Sequence, residues 1–104
     1  MNSHTHDRKF VAIIPSRYGS SRFEGKPLAA ICGKPMIRWV YERVSQSSCV
    51  SEVAVATDDP KIADVVKGFG RVVMTSPWNR SGTDRLAEAA RYMGLADTDV
   101  VINV

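Results

Sequence analysis

Apolar residues along this chain alternate between two patterns. Short, near-continuous runs at Phe10–Ile14, Val53–Ala56, Arg71–Met74 and Val100–Val104 read as strands, the first of them apolar enough to be covered on both faces. Between the runs, apolar positions recur at helical spacing: Ile37, Val40, Tyr41 and Val44; then Ile62, Val65, Val66 and Phe69; then Leu86, Ala89, Ala90 and Met93. Each set predicts a helix with one buried stripe. Punctuation agrees with the pattern. Pro35 suits the first position of a helix after Gly33 and Lys34, and Asp59-Pro60 reads as a cap and first turn. Gly70 fits a left-handed position after the second helix, and Gly94 closes the third.

The predicted order is β-α-β-α-β-α-β, with no repeat, linker or low-complexity tract. Strands joined by such helices run parallel with right-handed crossovers. The expected fold class is therefore α/β, a Rossmann-like doubly wound parallel sheet whose ligand crevice lies outside the carboxyl ends of the strands. The loops over residues 15–27, 57–59 and 75–82 all open on that edge.

The first of these loops carries the chemistry. A strand runs into Ser16-Arg17-Tyr18-Gly19-Ser20-Ser21-Arg22-Phe23-Glu24-Gly25-Lys26-Pro27. Gly and Ser let backbone N–H groups approach phosphate oxygens, Arg supplies bidentate charged hydrogen bonds, and Lys adds a mobile point charge. A polyphosphate cradle is one reading; a solvated surface loop is the other. A P-loop is excluded by spacing. Five residues separate Gly19 from Gly25, and Pro27 stands where a metal-holding hydroxyl belongs. The G-x-G-x-x-G dinucleotide pattern is absent as well.

Ser81-Gly82-Thr83-Asp84-Arg85 opens the third helix. Ser81 or Thr83 reads either as a plain N-cap or as part of a surface that hydrogen-bonds a nucleobase edge, with Gly82 small enough for a ring to lie against it. Arg85 is directed either at phosphate or at Asp84 and Glu88. Asp58 and Asp59 point to opposite sides of an extended chain, so Asp59 is expected to cap the helix and Asp58 to make a loop or ligand contact. Trp39 is expected to pack; Trp78 either lines a pocket or covers the sheet edge.

The 104 residues make one domain at most. A net charge of +3 suits an anionic small ligand and is too weak, without an aromatic and basic stripe, to imply nucleic acid. No run approaches a membrane span, and the polar start lacks the apolar stretch of a signal peptide. Residues 1–8, with His4 and His6, read as a disordered tail, and residues 9–104 as the folded portion. Cys32 and Cys49 have no metal spacing and read as reduced thiols of a cytoplasmic protein.

The runs Ile-Pro-Ser-Arg-Tyr-Gly-Ser-Ser-Arg-Phe-Glu-Gly-Lys-Pro-Leu, Gly-Lys-Pro-Met-Ile, Val-Ala-Thr-Asp-Asp, Met-Thr-Ser-Pro, Ser-Gly-Thr-Asp-Arg-Leu-Ala-Glu and Val-Ile-Asn-Val together closely resemble 3-deoxy-manno-octulosonate (Kdo) cytidylyltransferase, the CMP-Kdo synthetase family. The likeness runs from about Phe10 to Val104. It departs at Phe23-Glu24, where the family usually has Leu-Pro, and at Trp78-Asn79-Arg80, where a His-containing stretch is common. The sialic acid enzymes are a poorer match in the cationic loop.

The resemblance implies the nucleotide-diphospho-sugar transferase fold and the reaction CTP + Kdo → CMP-Kdo + pyrophosphate, with Mg²⁺, in lipopolysaccharide biosynthesis. It assigns Arg22 and Lys26 to the triphosphate and the leaving pyrophosphate. Ser16, Arg17, Gly19, Ser20 and Ser21 shape the nucleotide cradle, and Ser81, Gly82 and Thr83 read cytosine, with Arg85 beside them. The family's metal carboxylates, its sugar-binding part and its dimer interface fall beyond Val104. The chain is thus expected to be an amino-terminal portion holding most of a nucleotide cradle and no metal ligand. A non-catalytic nucleotide-binding module is the competing expectation.

Overall fold

The computed structural model describes residues 9–17, 26–79, 81–96 and 98–104. Its main sheet has four strands: β1 (Phe10–Ser16), β4 (Glu52–Thr57), β5 (Val72–Met74) and β6 (Val100–Asn103). Their spatial order is β5-β4-β1-β6, and every neighbouring pair is parallel. The register sets Ile13 beside Ala54 on one side and beside Asn103 on the other. Strand order therefore reverses at β1. That is the switch point where an α/β sheet opens a crevice at its carboxyl edge.

Three helices cover the sheet: α1 (Met36–Ser45), α2 (Pro60–Lys67) and α3 (Gly82–Tyr92). Alternation along β1 divides the core between the faces. Val11 and Ile13 join Ala54, Ala56, Val73 and Ala89, so α3 lies on that face. Ile14 and Val55 join Ile37 of α1 and Ile62 and Val66 of α2 on the other. The doubly wound expectation holds, and the predicted elements are present with ends shifted by one or two residues. β1 reaches Ser16, β5 begins at Val72, and α1 begins at Met36 with Pro35 as its N-cap residue.

Two features depart from the expectation. A small antiparallel hairpin, β2 (Ala30–Ile31) and β3 (Lys34–Pro35), precedes α1. Its two-residue turn, Cys32-Gly33, has φ of 50° and 85°, the left-handed pair of a type I′ turn. Trp39, expected in packing, is 41% exposed and ties this hairpin to α1. Its Nε1 donates to the Ile31 carbonyl at 2.7 Å, and the Lys34 ammonium sits 4.1 Å from the ring centroid.

Gly70 is the second departure: its φ is not left-handed, unlike that of Gly94 at 68°. Its smallness serves close approach instead. A Cβ there would lie 2.4 Å from Cζ of Tyr41. That ring is pinned, because its hydroxyl donates to the Val53 carbonyl and accepts from the Arg71 N–H, both at 3.1 Å.

Candidate nucleotide-binding crevice

β1 ends at Ser16, Arg17 follows it at the switch point, and a cavity of about 590 Å³ opens there. Lys26, Asn79, Ser81, Gly82 and Arg85 also stand on its wall. Ile14, Met36, Ile37 and Val40 form its apolar floor, and Val104, after β6, borders it. The sheet thus brings the end of the cationic loop and the start of α3 to one space, as its topology requires.

Each element places its residue for a local reason. Ser16 is 6% exposed because it is still in register with Thr57 of β4. Lys26 opens a short 3-10 helix, Lys26–Leu28, and is exposed. Ser81 caps α3, its Oγ accepting from the Asp84 N–H at 3.2 Å. Its capping role is thereby shown, and it stands on the wall as well. A Cβ on Gly82 would meet nothing within 4 Å, so open space adjoins the backbone where α3 begins. Thr83 is exposed and is not among the wall residues. Gly19, Ser20, Ser21 and Arg22 lie outside the described residues.

Of the two directions expected for Arg85, the one toward Asp84 and Glu88 is not taken. It is 3% exposed, and its Nη1 donates to Thr75 Oγ1 at 2.6 Å. Its Nη2 lies 3.9 Å from Asp58 Oδ2. The guanidinium thus bridges the ends of β4 and β5 while it borders the cavity. Asp58 makes the loop contact expected of it. Asp59 caps α2, accepting from the N–H groups of Lys61 and Ile62 at 2.7 and 3.2 Å. Trp78 is 79% exposed and does not line the cavity.

The sequence named Glu88 only as a candidate partner of Arg85 and Asn79 only as part of a departure from the family pattern, and expected neither at the crevice. Glu88 is 5% exposed, one helical turn below Arg85. It accepts from the Ser76 N–H at 2.9 and 3.1 Å, from the Ser76 hydroxyl at 2.9 Å and from Asn79 Nδ2 at 2.7 Å. These donors, the Ser76 N–H first and Asn79 second, hold its carboxyl down at a pKa of about 2. The only sequence signal was indirect: a carboxylate at a stripe position three residues after Arg85, and polar Ser76 and Asn79 in the facing loop.

The lining is mostly apolar, its polar groups are the Ser16 and Ser81 hydroxyls, the Asn79 amide and the cations Arg17, Lys26 and Arg85, and no acidic side chain lies on it among the described residues. That chemistry suits an anion. It does not suit Mg²⁺, a hard cation that takes carboxylate and other oxygen ligands. Among the described residues no group of three or more His, Cys, Asp or Glu is placed to hold a metal. No described helix is long and apolar enough to cross a membrane.

Comparison with known proteins adds four findings. A family model described as Cytidylyltransferase matches residues 11–104. Over 97 residues the chain is 60% identical to the 3-deoxy-manno-octulosonate cytidylyltransferase of Syntrophus aciditrophicus, covering 92% of this chain and 39% of that protein. Over 95 residues it is 59% identical to the 8-amino-3,8-dideoxy-manno-octulosonate cytidylyltransferase of Shewanella sp. (strain W3-18-1), covering 90% and 39%. A solved structure of CMP:2-keto-3-deoxy-manno-octonic acid synthetase complexed with CTP matches with a TM-score of 0.84 at 50% identity, over 92% of this chain and 39% of that one. The chain thus spans about 39% of the length of these relatives.

Proposed function

The chain belongs to the cytidylyltransferase family, and on that premise we propose that it forms the CTP-binding part of an enzyme that transfers a cytidylyl group to 3-deoxy-manno-octulosonate, releasing pyrophosphate. One observation carries the reading. The cations at the end of β1 and the open start of α3 share one crevice at the switch point. A relative of the same fold at 50% identity is described as complexed with CTP.

In this reading the triphosphate lies toward Arg17 and Lys26, and the base lies toward Ser81 and Gly82. The sugar's anomeric hydroxyl attacks the α-phosphorus and the bond to the pyrophosphate oxygen breaks. Such a transfer depends on alignment and on neutralising charge that builds on the leaving group. Lys26 supplies a charged N–H donor for that purpose, and Arg22 is assigned to the same task from its place in the cationic loop. Arg85 adds fixed positive charge to the wall from a buried position. Any Mg²⁺ that serves the reaction draws its carboxylates from outside the described residues, and no step above is routed through it.

A relative at 59% identity supports a second reading of the acceptor, the 8-amino-3,8-dideoxy compound, which differs at the sugar's far end from the attacking hydroxyl. The setting we propose is the cytoplasm, in the supply of lipopolysaccharide precursors, with a homodimer as the working form and no nucleic-acid partner. The test is release of pyrophosphate from CTP with each sugar acid, by the protein that carries this segment. CTP binding with no release for either acid would leave a nucleotide-binding module in place of an enzyme.

A further inference from the structure

Asn79 lies between β5 and α3, half-buried, on the wall of the crevice. Both hydrogens of its Nδ2 are taken: one goes to the Ser76 carbonyl at 2.9 Å, the other to Glu88 Oε1 at 2.7 Å. Both partners are acceptors. Turning the amide over would set Oδ1 against a carbonyl and a carboxylate, so its orientation is fixed by chemistry. Glu88 is itself held by the Ser76 N–H and hydroxyl and is 5% exposed, so the clamp does not swing.

Asn79 therefore presents one remaining polar atom, Oδ1, which receives no hydrogen bond from the described residues. Gly82 stands on the same wall, three residues on, and a Cβ there would meet nothing within 4 Å. A locked acceptor beside a ring site distinguishes an amino group from a carbonyl, because a carbonyl facing it leaves two acceptors opposed.

We infer that Asn79 selects cytosine over uracil, its Oδ1 accepting from the exocyclic amino group, with Glu88 as the positioning residue that keeps the amide from turning. This rests on the reading of the crevice as the CTP site. Ser81 and Gly82 bound the ring, and Asn79 names it.

Calorimetric titration of the chain with CTP and with UTP tests the inference. The chain should prefer CTP by roughly tenfold, the scale of one neutral hydrogen bond. Asn79→Ala should bring CTP down to the UTP level and leave UTP where it was. Glu88→Gln retains size but offers an N–H to Asn79, so the amide can turn, and the gap between the nucleotides should narrow with Asn79 still present. A merely structural role for either residue would weaken both nucleotides alike. Equal affinity of the unaltered chain for CTP and UTP, or an unchanged ratio in a folded Asn79→Ala chain, overturns the assignment and leaves the nucleotide site standing. Failure of the unaltered chain to bind either nucleotide overturns the crevice reading and this inference with it.

Discussion

The carboxylate of Glu88 receives both the backbone N–H and the hydroxyl of Ser76, 12 residues earlier, and so fastens the loop after β5 to the middle of α3. Few contacts in the chain bear so directly on the crevice, because the same carboxylate holds Asn79.

That clamp is sensitive to acid. The folded-state pKa of Glu88 is lowered from 4.5 to about 2, mainly by the Ser76 N–H. A depressed carboxyl pKa stabilises the fold above the unfolded value, and that contribution is lost as pH falls from about 4.5 toward 2. Urea unfolding followed by tryptophan fluorescence should show stability falling across this window. Glu42 and Asp99 are lowered as well, so the comparison that isolates Glu88 is with Glu88→Gln, whose decline should be shallower.

Lys26→Ala should leave the fold intact, since the side chain is exposed and surface changes of this kind stay within about 0.5 kcal/mol. Affinity for CTP should fall by roughly tenfold or more, the scale of a charge-assisted hydrogen bond. In the protein carrying this segment, pyrophosphate release should be abolished. Chemical denaturation and nucleotide titration of the variant check the two halves separately, and near-normal turnover would remove Lys26 from the leaving-group role.

Arg85→Ala should destabilise the chain by about 3 kcal/mol, the scale for breaking a buried charged contact and stranding its partners. The affected atoms are Thr75 Oγ1 and Asp58 Oδ2. Arg85→Met, which restores the apolar stem, should recover part of that loss but none of the charge. Thermal melts measure the recovery, and CTP titration of the better-folded Met variant measures the charge.

Gly70→Ala should lower stability by about 1–3 kcal/mol through overpacking. The new methyl meets Tyr41, whose hydroxyl bonds to Val53 and Arg71 prevent an easy retreat. A denaturation midpoint equal to that of the parent chain would show that the ring moves freely.

The alternation of apolar runs and helical stripes was enough to predict the parallel sheet, because strands such as Val11–Ile14 are apolar on both faces and admit few other environments. Asp59-Pro60 marked the start of α2 for equally local reasons. The β2–β3 hairpin escaped notice because its left-handed turn begins with Cys32, not with Asn, Asp or Gly. Gly70 was misread because glycine after a helix serves conformation more often than space, and only a tertiary neighbour, Tyr41, tells the two apart. The same limit governed the site. Ser16, Arg17, Lys26, Ser81, Gly82 and Arg85 were legible as chemistry and do meet at one cavity. Arg85 and Glu88 were not legible as buried charges, since their partners lie in the loops after β4 and β5. Asn79 drew no functional role because an amide's meaning depends on which of its atoms is already engaged.

β1 is made early and flanks the crevice, yet its neighbour β6 joins it across a separation of 90 residues, where the Lys9 N–H meets Asp99. Parallel pairing at that range is slow to form. On the ribosome, Val11 and Ile13 must wait for most of the segment to emerge before that side of the strand is paired. During synthesis the edge of β1 beside the crevice stays an open, apolar seam until β6 arrives, the kind of unpaired edge through which partly made chains associate.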